Sequence, residues 1–241
     1  MRSAALRWTA PLLAAAAIAA IAWPVHSEPP LPRPGPFDPE PLHTRMHGHF
    51  MALRLVHRAL LFGDLKEARR QARVLAEMAA PGGLPGWEES VARIRETAAR
   101  LTRTRSATRA RHLAAELAVR CGDCHENTAD LSRFVADSEP FDDGSAAGRM
   151  ARHEWAAESV WLGLVGPSPD LWRDGLAALA SPPLLPEAFT DDRSRHRKVD
   201  ALSRRMADLA ARARLLDDEE AQAAAFAELL EVCAGCHKLT R

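Results

Sequence analysis

The sequence predicts an all-α chain of two tandem four-helix bundles, each closing on the same short cysteine-histidine phrase. Three observations carry that prediction. Alanine dominates, tyrosine is absent and β-branched residues are few, a composition that favours helix over sheet. Apolar residues recur three and four apart, and no stretch sustains the alternation of a strand. Finally, Cys121-Gly122-Asp123-Cys124-His125 and Cys233-Ala234-Gly235-Cys236-His237 each follow a group of four helical segments, and together they hold all 4 cysteines.

The elements follow in order. Residues 1–27 read as an export signal: Arg2 and Arg7 form a basic start, Ala10 to Trp23 an apolar run, and Val25-His26-Ser27 small residues before a cut. The run is shorter than the about 20 residues a membrane span needs, and a retained N-terminal anchor is the alternative to cleavage. Residues 28–41 carry a proline at every second position on average, which reads as an extended tether. The first domain is placed at 42–136. Its helices are expected at about 42–62 (ending at Gly63), 65–80 (with Asp64 as N-cap), 87–103 and from about 106 into Cys121, with the punctuation PGGLPG at 81–86. Val91, Ile94, Ala98 and Leu101 mark one buried stripe on the third.

A linker is placed at 137–148 and a second domain at 149–241. The pattern then restarts, with helices at about 146–164, 170–180, 191–215 and from 217 into Cys233. The halves overlay without a gap at their starts. At an offset of about 104 residues Met46 and His49 fall on Met150 and His153, and Val56 falls on Val160. Sparse identities of this kind fit an old internal duplication.

C-x-x-C-H is the attachment sequence of a c-type haem. Two thiols three positions apart bond to the porphyrin vinyl groups, and the next side chain brings an imidazole to the iron. The expected cofactor is therefore two covalently attached haems, on Cys121, Cys124, Cys233 and Cys236, with His125 and His237 on iron. A thioredoxin-like pair would follow a strand, whereas the flanks here look helical; a four-cysteine zinc site leaves both histidines unexplained. Composition adds little more: the formal charge is +0, so nothing points to nucleic acid. Removing residues 1–27 would take away two arginines and no acid.

The second motif ends four residues before the last residue of the sequence, so whatever covers that haem comes from upstream. In motif position and helix count each half resembles the cytochrome c′ family (class II cytochromes c), four-helix bundles with C-x-x-C-H near the end of the fourth helix. The resemblance implies a first helix antiparallel to the fourth, with its start beside the motif histidine. The repeated Met-x-x-His lies there in both halves. His49 and His153 are the expected sixth ligands, giving two bis-histidine irons; Met46 and Met150, or an open sixth position, are the alternatives. Family members usually carry no histidine at that place, so this chain departs from the pattern.

The expected function is electron transfer by a periplasmic dihaem cytochrome, with no enzymatic activity, redox proteins as partners and no nucleic acid. Membrane contact is expected only through a retained N-terminal segment. The alternative is a gas-binding or sensing protein with an open or labile sixth position. A dihaem peroxidase would need an open iron flanked by acid and base residues, and no second phrase supplies that set.

Overall fold

The computed structural model describes residues 39–78, 87–126, 134, 136–181, 186–188 and 190–240. The export-signal reading (1–27), most of the tether (28–38) and the 81–86 break lie outside them. Among the described residues there are eight α-helices and no strand. The first half comprises α1 (Pro39–Leu61), α2 (Leu65–Glu77), α3 (Glu88–Arg103) and α4 (Ala107–Glu126). The second comprises α5 (Ala146–Val165), α6 (Pro169–Leu179), α7 (Arg193–Ala213) and α8 (Glu219–Thr240), with one 3-10 turn at Pro186–Ala188. None of these helices is long and apolar enough to cross a membrane.

Most boundaries fall within two residues of the sequence expectation. The exceptions have local causes. The tether was expected to reach residue 41, but Pro39 and Pro41 lie in the first turn of α1. Proline is tolerated there, because the first N–H groups of a helix have no intrahelical acceptor. The first turn-over works as expected. Gly63 takes φ 72°, its N–H donates to Leu60 O (3.0 Å), and Asp64 Oδ1 accepts from Glu67 N (2.9 Å) to start α2. Serine and aspartate caps start all four later helices: Ser145 for α5, Ser168 for α6, Asp192 for α7 and Asp218 for α8.

Within each half, consecutive helices pack as neighbours. Polar links fix some of these pairs. Thr97 Oγ1 and Arg100 Nη1 both bond Glu116 Oε1 between α3 and α4, and buried Trp172 donates Nε1–H to Ala213 O between α6 and α7 (3.2 Å). The halves do not stand apart, however. Phe37–Arg241 form one compact unit. Helix α4 packs along α8, α5 reaches α4, and α1 reaches α8. One apolar core runs through both halves, from Val56, Leu60 and Leu117 to Val160, Trp161 and Leu230.

The register of α4 on α8 is antiparallel. Arg111 Nη2 meets Glu231 Oε2 at 3.4 Å near the start of one and the middle of the other. Asp123, near the end of α4, hydrogen-bonds Glu219 at the start of α8. Each pair is spaced symmetrically about Ala115 on α4 and Ala227 on α8, both buried. Those two alanines are themselves equivalent when the two C-x-x-C-H motifs are superposed. The opening helices repeat the relation. Arg54 Nε pairs with Glu158 Oε1 at 2.9 Å, and the His57 ring stacks on Trp161 at 5.1 Å and 13°. Both are equivalent positions in the 104-residue overlay. Equivalent residues that touch each other mark a pseudo-two-fold axis between the halves.

Candidate functional site

The two motifs end α4 and α8, and because those helices are antiparallel the motifs lie at opposite ends of the pair. That separation rules out one four-cysteine cage. Among the described residues no three His, Cys, Asp or Glu side chains converge as a metal site.

Each motif is seated against the far end of the other half's opening helix. At the first, Gly122 comes so close to the end of α5 that a Cβ there would stand 2.4 Å from Leu164 O. His125 Nδ1 is 2.7 Å from Val165 O. At the second, Gly63 at the end of α1 faces Ala234, and the Phe62 ring meets His237 edge-on at 4.6 Å. Sequence reasoning had drawn on each half's own helices alone, and these cross-half neighbours were not anticipated.

The second motif opens onto a cavity of about 490 Å³. Cys233, Cys236 and His237 from α8 line it, together with His153 and Met150 from the start of α5. The predicted residues of the second half are thus brought together, with Met150 as well as His153 beside the motif. Leu202 and Met206 of α7 also line it, as do Arg54, His57, Arg58 and Leu61 of α1 and Phe62 just past its end. Burial, with His237 adding to it, lowers the His153 pKa to about 4. The imidazole is therefore neutral at ordinary pH and keeps a lone pair for a metal.

The first motif has a different setting. The Phe134 ring lies 5.2 Å from His125 and 5.5 Å from Phe50, which in turn lies 5.2 Å from Trp161. Phe134 lies nine residues beyond His125, past the end of α4. His49 stands next to Phe50 at this end of α1, and its Nδ1 is 2.8 Å from Arg45 O.

Histidine tautomers follow from these contacts. A ring nitrogen beside a carbonyl oxygen must carry the proton, so Nδ1 of His49 and of His125 donates to Arg45 O and Val165 O. This leaves Nε2 as the basic nitrogen, the arrangement in which the second shell orients a metal-binding imidazole. Among the described residues five buried side-chain polar atoms lack a hydrogen-bond partner, and three are Nε2 of His49, His57 and His153. Buried polar atoms are rarely left so, and such atoms call for an unseen partner. Two of the three are the predicted sixth ligands.

Burial disfavours the thiolate form of all four cysteines. Burial, then the neighbouring Cys124 and Asp123, pushes Cys121 up to about 12. Burial, then Cys236, does the same to Cys233. Cys124 and Cys236 are also raised by burial. A dithiol-exchange centre needs a lowered thiol pKa. His57 is 2% exposed, packs between Trp161 and Phe226, and burial, then Arg54, lowers it to about 3. The signal that could have found it was the overlay pairing of His57 with Trp161, two flat rings at equivalent positions. Of His112 and His196, neither of which has a counterpart in the other half, His112 is exposed as expected, whereas His196 is half-buried with Nε2 2.8 Å from Thr190 O.

No family model, curated protein or solved structure matches this chain.

Proposed function

We propose that this chain is an exported dihaem c-type cytochrome that carries electrons, with His125 and His237 on one side of the irons and His49 and His153 on the other. The observation that carries the reading is the second cavity. There Cys233, Cys236 and His237 stand on one wall, and His153, with a shielded and unpartnered Nε2, stands on α5. A volume of about 490 Å³ falls within the range of cofactor sites. The lining is largely apolar, as porphyrin faces require, through Leu61, Phe62, Val199, Leu202, Met206 and Val232. A porphyrin brings four nitrogens of its own, so two protein donors complete the iron and no larger cluster is needed. The pseudo-two-fold relation extends the reading to the first site, where Phe134 would lie against the cofactor's edge.

Haem iron supplies a one-electron couple when bound. The residues of the chain do the rest. The four cysteines fix the cofactor by thioether bonds, and their high pKa values suit thiols kept protonated until bonded. Val165 O orients His125, and Arg45 O orients His49. Filling the sixth position from α1 and α5 leaves no site for substrate, so the activity supported is transfer between redox proteins outside the cytoplasmic membrane. Electron carriage without catalysis is the consequence.

The test is haem content. Full-length chain produced in a host that matures c-type cytochromes should carry two haems that survive denaturation, counted by intact mass and pyridine haemochrome absorbance. Replacing Cys233 and Cys236 with Ala should leave one. A denatured chain free of haem would overturn the proposal.

A further inference from the structure

The second cavity is walled by both halves, and its arginines come from only one. They are Arg54 and Arg58, a turn apart on α1 of the first half, on the same face as His57, Leu61 and Phe62. The second half lines the same cavity with two acids, Glu154 and Glu158, and with apolar or committed groups; Thr240, for example, donates to Cys236 O at 3.2 Å. Arg54 is engaged by Glu158 at 2.9 Å. Arg58 forms no ion pair of its own among the described residues. Its guanidinium stands 5.9 Å over the Phe62 ring, and that ring is 4.6 Å from His237. A cation whose only nearby counter-charge, Glu158, is already bonded to Arg54 therefore sits one ring away from the motif histidine. Next to it in sequence, His57 is sealed from solvent with Nε2 unpartnered.

A haem also carries two carboxylates, and a carboxylate at an apolar cavity is costly unless donors meet it. A guanidinium is the strongest such donor, through charge-assisted bonds. We propose that the carboxylates of the second haem are held by the first half, through Arg58 with His57 beside it, so that this site is shared across the pseudo-two-fold axis. The inference rests on the haem reading above. It makes the two sites non-equivalent, because the α5 positions matching His57 and Arg58 are Trp161 and Leu162, which bring no cation to the first site.

The experiment is a potentiometric titration of the holoprotein with Arg58→Leu. Removing the cation leaves a carboxylate uncompensated and favours the ferric state. The expected result is two haems per chain with the midpoint of one lowered and the other unmoved, or loss of the second haem alone. Arg58→Lys should restore most of the shift, and His57→Phe, which keeps a ring against Trp161, should move the same haem. A chain with Cys121 and Cys124 replaced by Ala retains only the second haem and identifies which one moves. The inference is overturned if Arg58→Leu moves neither midpoint, both equally, or only the first. It is equally overturned if Arg58→Lys is as low as Arg58→Leu. A parent chain without haem would instead overturn the proposed function, so the two failures are distinct.

Discussion

At the scale of single residues, the two motifs differ in one backbone detail with a measurable cost. Gly122 of the first motif has Leu164 O where a Cβ would stand, at 2.4 Å. Its counterpart Ala234 keeps its methyl because the facing chain at Gly63 stands at ordinary van der Waals distance, even a Cβ there being 3.5 Å from Ala234 Cβ. Gly122→Ala should force the end of α4 away from α5 and destabilise the fold by about 1–3 kcal/mol, the usual cost of overpacking. Urea unfolding would measure it, and an unchanged midpoint would show that the motif and α5 are not in van der Waals contact. The same substitution strains the Val165 carbonyl that orients His125, so the first haem, not the second, should be the one perturbed.

At the scale of elements, the antiparallel α4–α8 pair is the spine that joins the halves. Its register brings Ala115 opposite Ala227, and both side chains are buried. Small residues allow backbones to approach closely at such a crossing. Ala115→Leu should cost about 1–3 kcal/mol by overpacking, read as a lower thermal midpoint, whereas the same change at exposed Ala107 should be close to neutral. Equal effects at both positions would mean that the register is wrong. The helix limits themselves were legible in the sequence, since Gly63, Asp64, Ser145, Ser168 and Asp192 punctuate them through local chemistry. The spine was not. Helical periodicity tells which face is buried but not against which partner, and Leu117 or Leu230 would satisfy an intra-half core equally well. A trace was nevertheless present. If two copies of one segment meet on a two-fold axis, a residue near that axis contacts its own equivalent. An Arg or Glu in both copies would bring like charges together; Arg54 with Glu158 is the complementary outcome. The overlay held both residues, and their opposite signs were the clue to a contact.

At the scale of the whole molecule, the halves share a single core and complete one another's sites. The second site was the more legible, because Cys233, Cys236, His237, His153 and Met150 all come from the half in which they were sought. What the sequence could not disclose there was the wall of Arg54, His57 and Arg58 on α1 with Phe62 just past its end, which lies about 90 residues or more away along the chain. At the first site, Phe134 beside His125 and Phe50 is likewise a tertiary fact with no local signature. If the proposed function holds, the pseudo-two-fold arrangement gives both irons the same pair of imidazoles, each taken from an opening and a closing helix. Low-temperature electron paramagnetic resonance of the oxidised holoprotein measures that directly. Two low-spin bis-imidazole signals, lost singly in His49→Ala and His153→Ala, are the predicted result, and a high-spin signal from either haem of the parent protein would contradict it.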